Sequence, residues 1–313
     1  MGRRAVARKR KGQAISGWLI VDKPAGMTST DVVNRARRIL DAQKAGHGGT
    51  LDPLATGVLP LAFGEATKTV SYVMEGDKTY RFTVRWGQAT DTDDSEGKVV
   101  AEDLKRPEKA EIEALLPRFE GEIEQVPPAY SAIKVAGQRA YDLAREGEAV
   151  ELKPRTVFIE WMELVDCPDR DHAVFEVGCG KGTYMRSLAR DMGEALGCHG
   201  HVSALRRLAV GPFREEDAIS LDYLEELAQS ARAAEALLPV ETALDGIPAL
   251  ALTDMEASKL RSGQAISMLA RNNAERIRGF ENGDVLCAMA AGKLVAISRL
   301  EAGEIRPVRV INL

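Results

Sequence analysis

An α+β fold, in which a mixed but mostly antiparallel sheet is followed by a small β-barrel, is the architecture this 313-residue chain predicts. Three observations carry that expectation. Strand-like and helix-like stretches do not alternate strictly, which argues against a doubly wound parallel sheet. Lys78–Trp86 alternates, with Tyr80, Phe82, Val84 and Trp86 on one face, the period of a half-buried strand. Beyond Pro248, short β-rich runs at 263–266, 283–286, 293–297 and 308–310 are separated by turns, as in a small barrel. The length suits two domains, and we set them at 17–245 and 246–313, after a basic arm at 1–16.

Taken in order, residues 1–16 carry Arg3, Arg4, Arg8, Lys9, Arg10 and Lys11 without hydrophobic pattern, an arm that either touches phosphates or only solubilises. Gly17–Pro24 reads as a short strand running into a turn. A helix follows, capped by Thr28, Ser29 or Thr30, with Val32, Val33, Ala36, Ile39 and Leu40 on its inner face and Arg35, Arg37 and Arg38 on the others. Residues 46–60 hold four glycines and two prolines, so a stiff loop that presents Asp52, with His47 and Thr50 close by, is expected rather than a regular element. An ordinary surface turn, in which Asp52 bonds only its own backbone, is the plain alternative.

Residues 58–63 read as a buried strand and 65–74 as a helix. Gly87–Gly97 is an acidic loop without the spacing of an EF-hand, and no metal is assigned to it. Residues 107–116 form a helix, 125–134 a proline-bent strand leading into another, and 155–165 with 172–179 a β-hairpin near the middle of the sheet. Thr183 caps a helix that buries Met185, Leu188, Ala189 and Met192. Arg186 falls in its first turn, where the helix dipole disfavours a cation, so a specific anionic partner is expected.

Composition narrows the function classes. Hydrophobic residues at 45% and charged residues at 28% are ordinary for a soluble globular protein. No apolar run reaches the roughly 18–20 residues that span a bilayer, and the basic N-terminus lacks the apolar stretch of a secretory signal. Cys167, Cys179, Cys198 and Cys287 make no Cys-x-x-Cys pair, which fits reduced thiols in a cytoplasmic protein. The net charge of −5 is unevenly placed. Residues 215–245 hold nine acids against Arg232 alone, a local charge of −8, so the remainder carries +3 and leaves a basic face for a polyanion.

Gly46-His47-Gly48-Gly49-Thr50-Leu51-Asp52-Pro53-Leu54-Ala55-Thr56-Gly57-Val58-Leu59-Pro60 resembles the catalytic loop of the TruB-type tRNA pseudouridine synthases. The Asp-Lys-Pro-x-Gly-x-Thr-Ser pattern from Asp22, which the resemblance implies braces the catalytic loop rather than does chemistry, the Lys-x-Tyr at Lys78–Tyr80, the 125–141 stretch, the Tyr-x-Arg ending at Arg186, and Leu205-Arg206-Arg207-Leu208 extend the resemblance over most of the chain. It implies a pseudouridine synthase catalytic domain with a PUA-like RNA-binding module behind it. It also implies isomerisation of the T-loop uridine of tRNA, position 55, with Asp52 as the catalytic residue. The same resemblance sets Tyr80 against the uracil, Arg186 on Asp52 and Leu205 at the active site, and gives Lys23, Lys134 and Arg139 to the RNA.

His47 and Tyr80 would offset the cost of flipping the base, by stacking in the vacated space and on the flipped uracil. Whether Asp52 attacks C1′ of the ribose or C6 of the base is open, as is the group that takes the C5 proton. No cofactor or metal is expected, nor a protein partner; a monomer working on the T-stem-loop is the default. Two other readings are an RNA-binding protein without catalysis, and a guide-RNA-dependent relative acting on ribosomal RNA.

Overall fold

The computed structural model describes residues 12–131, 134–135, 138–139, 152–270, 273 and 275–313. A nine-stranded sheet organises the larger part. Its strands are β1 (Gly17–Lys23), β2 (Ala45–His47), β3 (Thr56–Phe63), β4 (Lys78–Trp86), β7 (Gly121–Gln125), β10 (Arg155–Asp166), β11 (His172–Cys179), β12 (Gly200–Val210) and β13 (Phe213–Arg214). The main path runs β1-β3-β12-β4-β11-β10-β7, with β2 also on β3 and β13 on β12. Only the β3–β12 pairing is parallel, so the sheet is mixed and mostly antiparallel as the sequence predicts. Two-stranded ladders, β5 (Gln88–Thr90) with β6 (Val99–Glu102) and β8 (Lys134–Val135) with β9 (Gln138–Arg139), lie off this sheet.

β1 and β3 are buried on both faces, and their alternating side chains enter two different cores. Leu19, Val21, Leu59, Leu61 and Phe63 join Val32, Val33 and Ala36 of helix α1 (Ser29–Ile39), together with Leu51 and Ala55. Trp18, Ile20, Val58 and Ala62 face the opposite way and pack with Val240, Leu244, Leu294, Ile297 and Ile311. The second core is therefore shared with the C-terminal unit. There a curled half-barrel sheet has the order β14-β16-β17-β18-β15, built from β14 (Ala249–Ala251), β15 (Ile266–Ser267), β16 (Val285–Ala290), β17 (Lys293–Glu301) and β18 (Glu304–Val310). Its other face packs on Ala257 and Leu260 of the Asp254–Arg261 helix.

Several local expectations change. Pro60 lies inside β3, opposite Ile20. The strand tolerates it because the β2 ladder ends at His47, and there the Pro60 carbonyl accepts from Gly48 N–H (2.8 Å) where a donor is not required. The helix expected over 65–74 breaks into a 3₁₀ turn, Gly64–Lys68, and a short helix α2, Val70–Glu75. Thr69 between them turns its hydroxyl back on the Ala66 carbonyl (2.8 Å). Thr28 is the cap of α1, in a capping box with Asp31. Thr183 is not a cap: its hydroxyl donates to the Gly180 carbonyl (3.1 Å), and Tyr184 stands at the N-terminus of the Met185–Ala195 helix. Residues 1–11 of the basic arm, and the helix expected after Arg139, fall outside the described residues.

Candidate active site

The loop between β2 and β3 is tied down from outside at four places. The Ser29 hydroxyl, at the start of α1, donates to the Leu51 carbonyl (3.0 Å) and accepts from Leu51 N–H (2.8 Å). Gly26 N–H donates to the Pro53 carbonyl (2.8 Å). Lys23, fully buried, spends its ammonium hydrogens on the carbonyls of Pro24 (2.8 Å), Pro53 (3.1 Å) and Ala55 (2.6 Å). All three of its donors are thus committed to backbone, the bracing of the loop that the Asp-Lys-Pro pattern implies. Burial pushes its ammonium down to about 8, while the charges of Asp52 and Glu96 pull it back up.

The fourth tether is Arg207. It is 1% exposed and its guanidinium donates from Nε to the Val58 carbonyl (2.8 Å) and from Nη2 to the Gly49 carbonyl (3.2 Å). Gly57 is needed here: its φ is +95°, and a Cβ on it would stand 2.2 Å from the Arg207 carbonyl oxygen.

Held this way, Asp52 is presented to Arg186. The Arg186 Nη2 to Asp52 Oδ2 distance is 3.0 Å, and the Arg186 side chain is only 6% exposed against 37% for Asp52. Arg186 also donates to the carbonyls of Thr92 (3.1 Å) and Tyr130 (2.9 Å). The helix start is fixed by buried Gln125, whose amide exchanges two hydrogen bonds with the Tyr184 backbone (2.8 and 3.1 Å).

Arg186 meets a second carboxylate that sequence reasoning did not single out. Asp94, buried in the acidic loop, places Oδ2 3.6 Å from Nη1. Its Oδ1 accepts from the Thr92 hydroxyl (2.6 Å) and Glu96 N–H (3.0 Å). The loop is carried there by β12, since Val202 bonds Asp93 and Ser95 through their backbones (3.0 and 2.9 Å). Partial burial raises the Glu96 carboxyl, and so do the neighbouring charges of Asp94 and Asp52. One turn along the helix, Arg190 repeats the arrangement with Asp93 (3.1 Å) and Asp191 (2.8 Å), whose carboxyls burial pushes up.

The other expected residues fall as follows. Tyr80 is half-buried on β4, against the main core, and burial pushes its phenol up, with the Arg207 charge opposing. His47 ends β2; burial, then Arg207, pushes its imidazole down, so the ring is neutral at neutral pH, and its buried Nδ1 has no hydrogen-bond partner among the described residues. Leu205 is buried across from Phe82, in the core that also takes Leu51 and Ala55. Lys134 and Arg139 are register partners in the β8–β9 ladder and are described by their backbone alone. His201 on β12 is buried, with Nδ1 2.9 Å from the Gln88 carbonyl.

Comparison with known proteins decides the family. The sequence profile of the TruB family pseudouridylate synthase N-terminal domain matches residues 37–185, and that of the tRNA pseudouridylate synthase B C-terminal domain matches 186–245. The chain belongs to the TruB family. It is 57% identical over 308 residues to tRNA pseudouridine synthase B of Rhodospirillum rubrum, which covers 98% of this chain and all of that protein. It is 54% identical over 309 residues to the protein of the same name from a Caulobacter species, with 98% and 100% covered. Among solved structures it resembles a Cbf5-Nop10-Gar1 complex, with a TM-score of 0.71 at 28% identity over 95% of this chain and 84% of that one. An H/ACA RNP bound to a substrate RNA containing 2′-deoxyuridine gives 0.73 at 25% identity, over 99% and 93%.

Proposed function

We propose that this protein isomerises uridine 55 in the T-loop of tRNA to pseudouridine, with Asp52 as nucleophile and without cofactor or metal. The observation that carries the reading is the Asp52–Arg186 pair, made between a loop tethered at four points and a buried helix start. The reaction breaks N1–C1′, turns the uracil and joins C5 to C1′; N1 gains a proton and C5 loses one, so no electrons enter or leave. A carboxylate held by a guanidinium keeps its aim. Tyr80 stacks on the flipped uracil, neutral His47 fills the place it leaves, and Leu205 packs beneath.

Residues 17–245 carry the chemistry. Residues 246–313 act as a PUA-like module that widens the RNA contact, joined by Lys134 and Arg139 of the β8–β9 ladder. A stand-alone, monomeric, cytoplasmic enzyme is favoured over a guide-dependent one, because full-length similarity is 54–57% to proteins named for tRNA but 25–28% to the guide-complex structures. Tritium release from C5-labelled tRNA transcript tests both points. The pure protein should turn over without guide RNA, and Asp52→Asn should bind tRNA but release no more than a trace. Rapid release by that variant, or a guide requirement, overturns the reading.

A further inference from the structure

Arg207 is a buried cation without an acid. Among the described residues no carboxylate lies within ion-pair distance of it, yet it is 1% exposed. Such a group is costly to keep in a fold unless its hydrogens are used. Two are used on the Val58 and Gly49 carbonyls, and a guanidinium has five.

Its place in the sheet shows where the others point. In the β12–β4 ladder Arg207 stands directly across from Tyr80, and in the short β12–β3 pairing it is matched with Gly57. Side chains directly opposed across a pair of strands project from the same face and touch. With its neighbour Arg206, Arg207 thus joins by its backbone the strand of Tyr80 to the strand that leaves the Asp52 loop. Its side chain then reaches back to Gly49 in that loop. The position a Cβ would take on Gly49 lies 3.4 Å from Nη1, so the fork packs against this glycine.

We propose that Arg207 is a positioning residue for Tyr80: its guanidinium donates to the phenol oxygen, which leaves the phenol hydrogen directed at the substrate base. This rests on the reading that Tyr80 faces the uracil. A phenol oxygen that accepts from a fixed cation has one direction left for its own hydrogen. Without Arg207 the ring keeps its packing against the core but its hydroxyl turns freely. The same guanidinium pulls the phenol down against the upward push of burial, in keeping with contact between them.

A double-variant cycle separates this from a plain role in holding β3 to β12. Single-turnover rates at saturating enzyme on unmodified tRNA transcript are measured for wild type, Arg207→Met, Tyr80→Phe and the double variant, with thermal melts to verify folding. Arg207→Met should slow the step by about 10–100-fold in the Tyr80 enzyme, the range for a hydrogen bond to a charged group. In the Tyr80→Phe enzyme the slowing should be at least about 5-fold smaller, what remains being the loss of the loop tether to Val58 and Gly49. Arg207→Lys should recover part of the rate only when Tyr80 is present, and it takes the place of Arg207→Met in the cycle if that variant does not fold. Equal slowing on both backgrounds overturns the proposal and leaves Arg207 as a structural brace. A Tyr80→Phe enzyme at the wild-type rate overturns the placement of Tyr80 at the base, whatever Arg207 does.

Discussion

Replacing Arg186 with Met should damage stability and catalysis through two different carboxylates, and the two losses can be separated. Arg186 is almost completely buried between Asp52, which is 37% exposed at its side chain, and Asp94, which is 5% exposed. Removing one partner of a buried ion pair costs about 3–5 kcal/mol, because a charge is left uncompensated in a poorly solvated place. That cost falls chiefly on Asp94. Asp52 can turn to water, whereas Asp94 is fixed by the Thr92 hydroxyl and Glu96 N–H. Those two hydrogen bonds survive the substitution and set the expected loss near 3 kcal/mol, the lower end of that range.

Asp94→Asn on top of Arg186→Met removes the orphan charge and keeps the shape, so most of the lost stability should return. Activity should not return, since Asp52 still lacks the cation that aims it. A fall of about 100–1000-fold in single-turnover rate corresponds to roughly 3–4 kcal/mol of lost transition-state stabilisation. Urea unfolding read by fluorescence gives the first quantity, and tritium release at saturating enzyme gives the second. If Arg186→Met unfolds at the wild-type midpoint, or the double variant stays as unstable as the single, the uncompensated-carboxylate account is wrong.

Three further outcomes follow from the same structure. Affinity for tRNA should fall steeply with salt despite the acidic total charge, because Arg37 and Arg38 stand exposed beside a cavity of about 530 Å³ lined also by Met27, Asp31, Asn34 and Arg35; a flat plot of log K against log salt would remove the electrostatic account. Truncation after Asp245 should yield an unstable or aggregating chain rather than merely a weak RNA binder, because it strips Leu294, Ile297 and Ile311 from Trp18, Ile20 and Val58; a cooperative melt near the wild-type temperature would show that the half-barrel is dispensable to the fold. Lys23, pushed down to about 8 when folded against about 10.4 when unfolded, makes the unfolded chain the better proton binder between those values. Stability should therefore gain a positive slope as pH rises from 8 to 10, and Lys23→Met should abolish that slope in urea titrations.

The residues that could be read from sequence were those whose local setting was already anomalous. Arg186 in a first helical turn asked for an anion, and the family resemblance named Asp52 as that anion; the structure puts them 3.0 Å apart. The strand of Tyr80 and the buried face of the Met185–Ala195 helix were legible from period alone. Asp94 was not, because an aspartate run bounded by glycines looks solvated, and only the backbone pairing with Val202 buries it. The backbone bonds of Lys23 were legible only through its motif's resemblance, not from its local setting. A long cation is exposed by default, and its acceptors, Pro53 and Ala55, lie some thirty residues away. The Asp254–Arg261 helix had a readable signal that went unused, the Thr253-x-x-Glu256 capping box.

What unites Lys23, Ser29 and Arg207 is that they act on backbone. Lys23 and Arg207 are buried cations that donate to loop carbonyls, and Ser29 binds both polar groups of Leu51. A loop held this way is set before substrate arrives, so little ordering entropy is lost on binding and its dipoles need not reorganise during reaction. On the proposed function the conformational work of catalysis then falls on the RNA, which must unstack and turn out its uridine. Loop anchors therefore belong to the chemical step: weakening Lys23 or Ser29 should slow turnover of bound tRNA while leaving its affinity nearly intact, the reverse of what loss of an exposed phosphate-binding arginine would do.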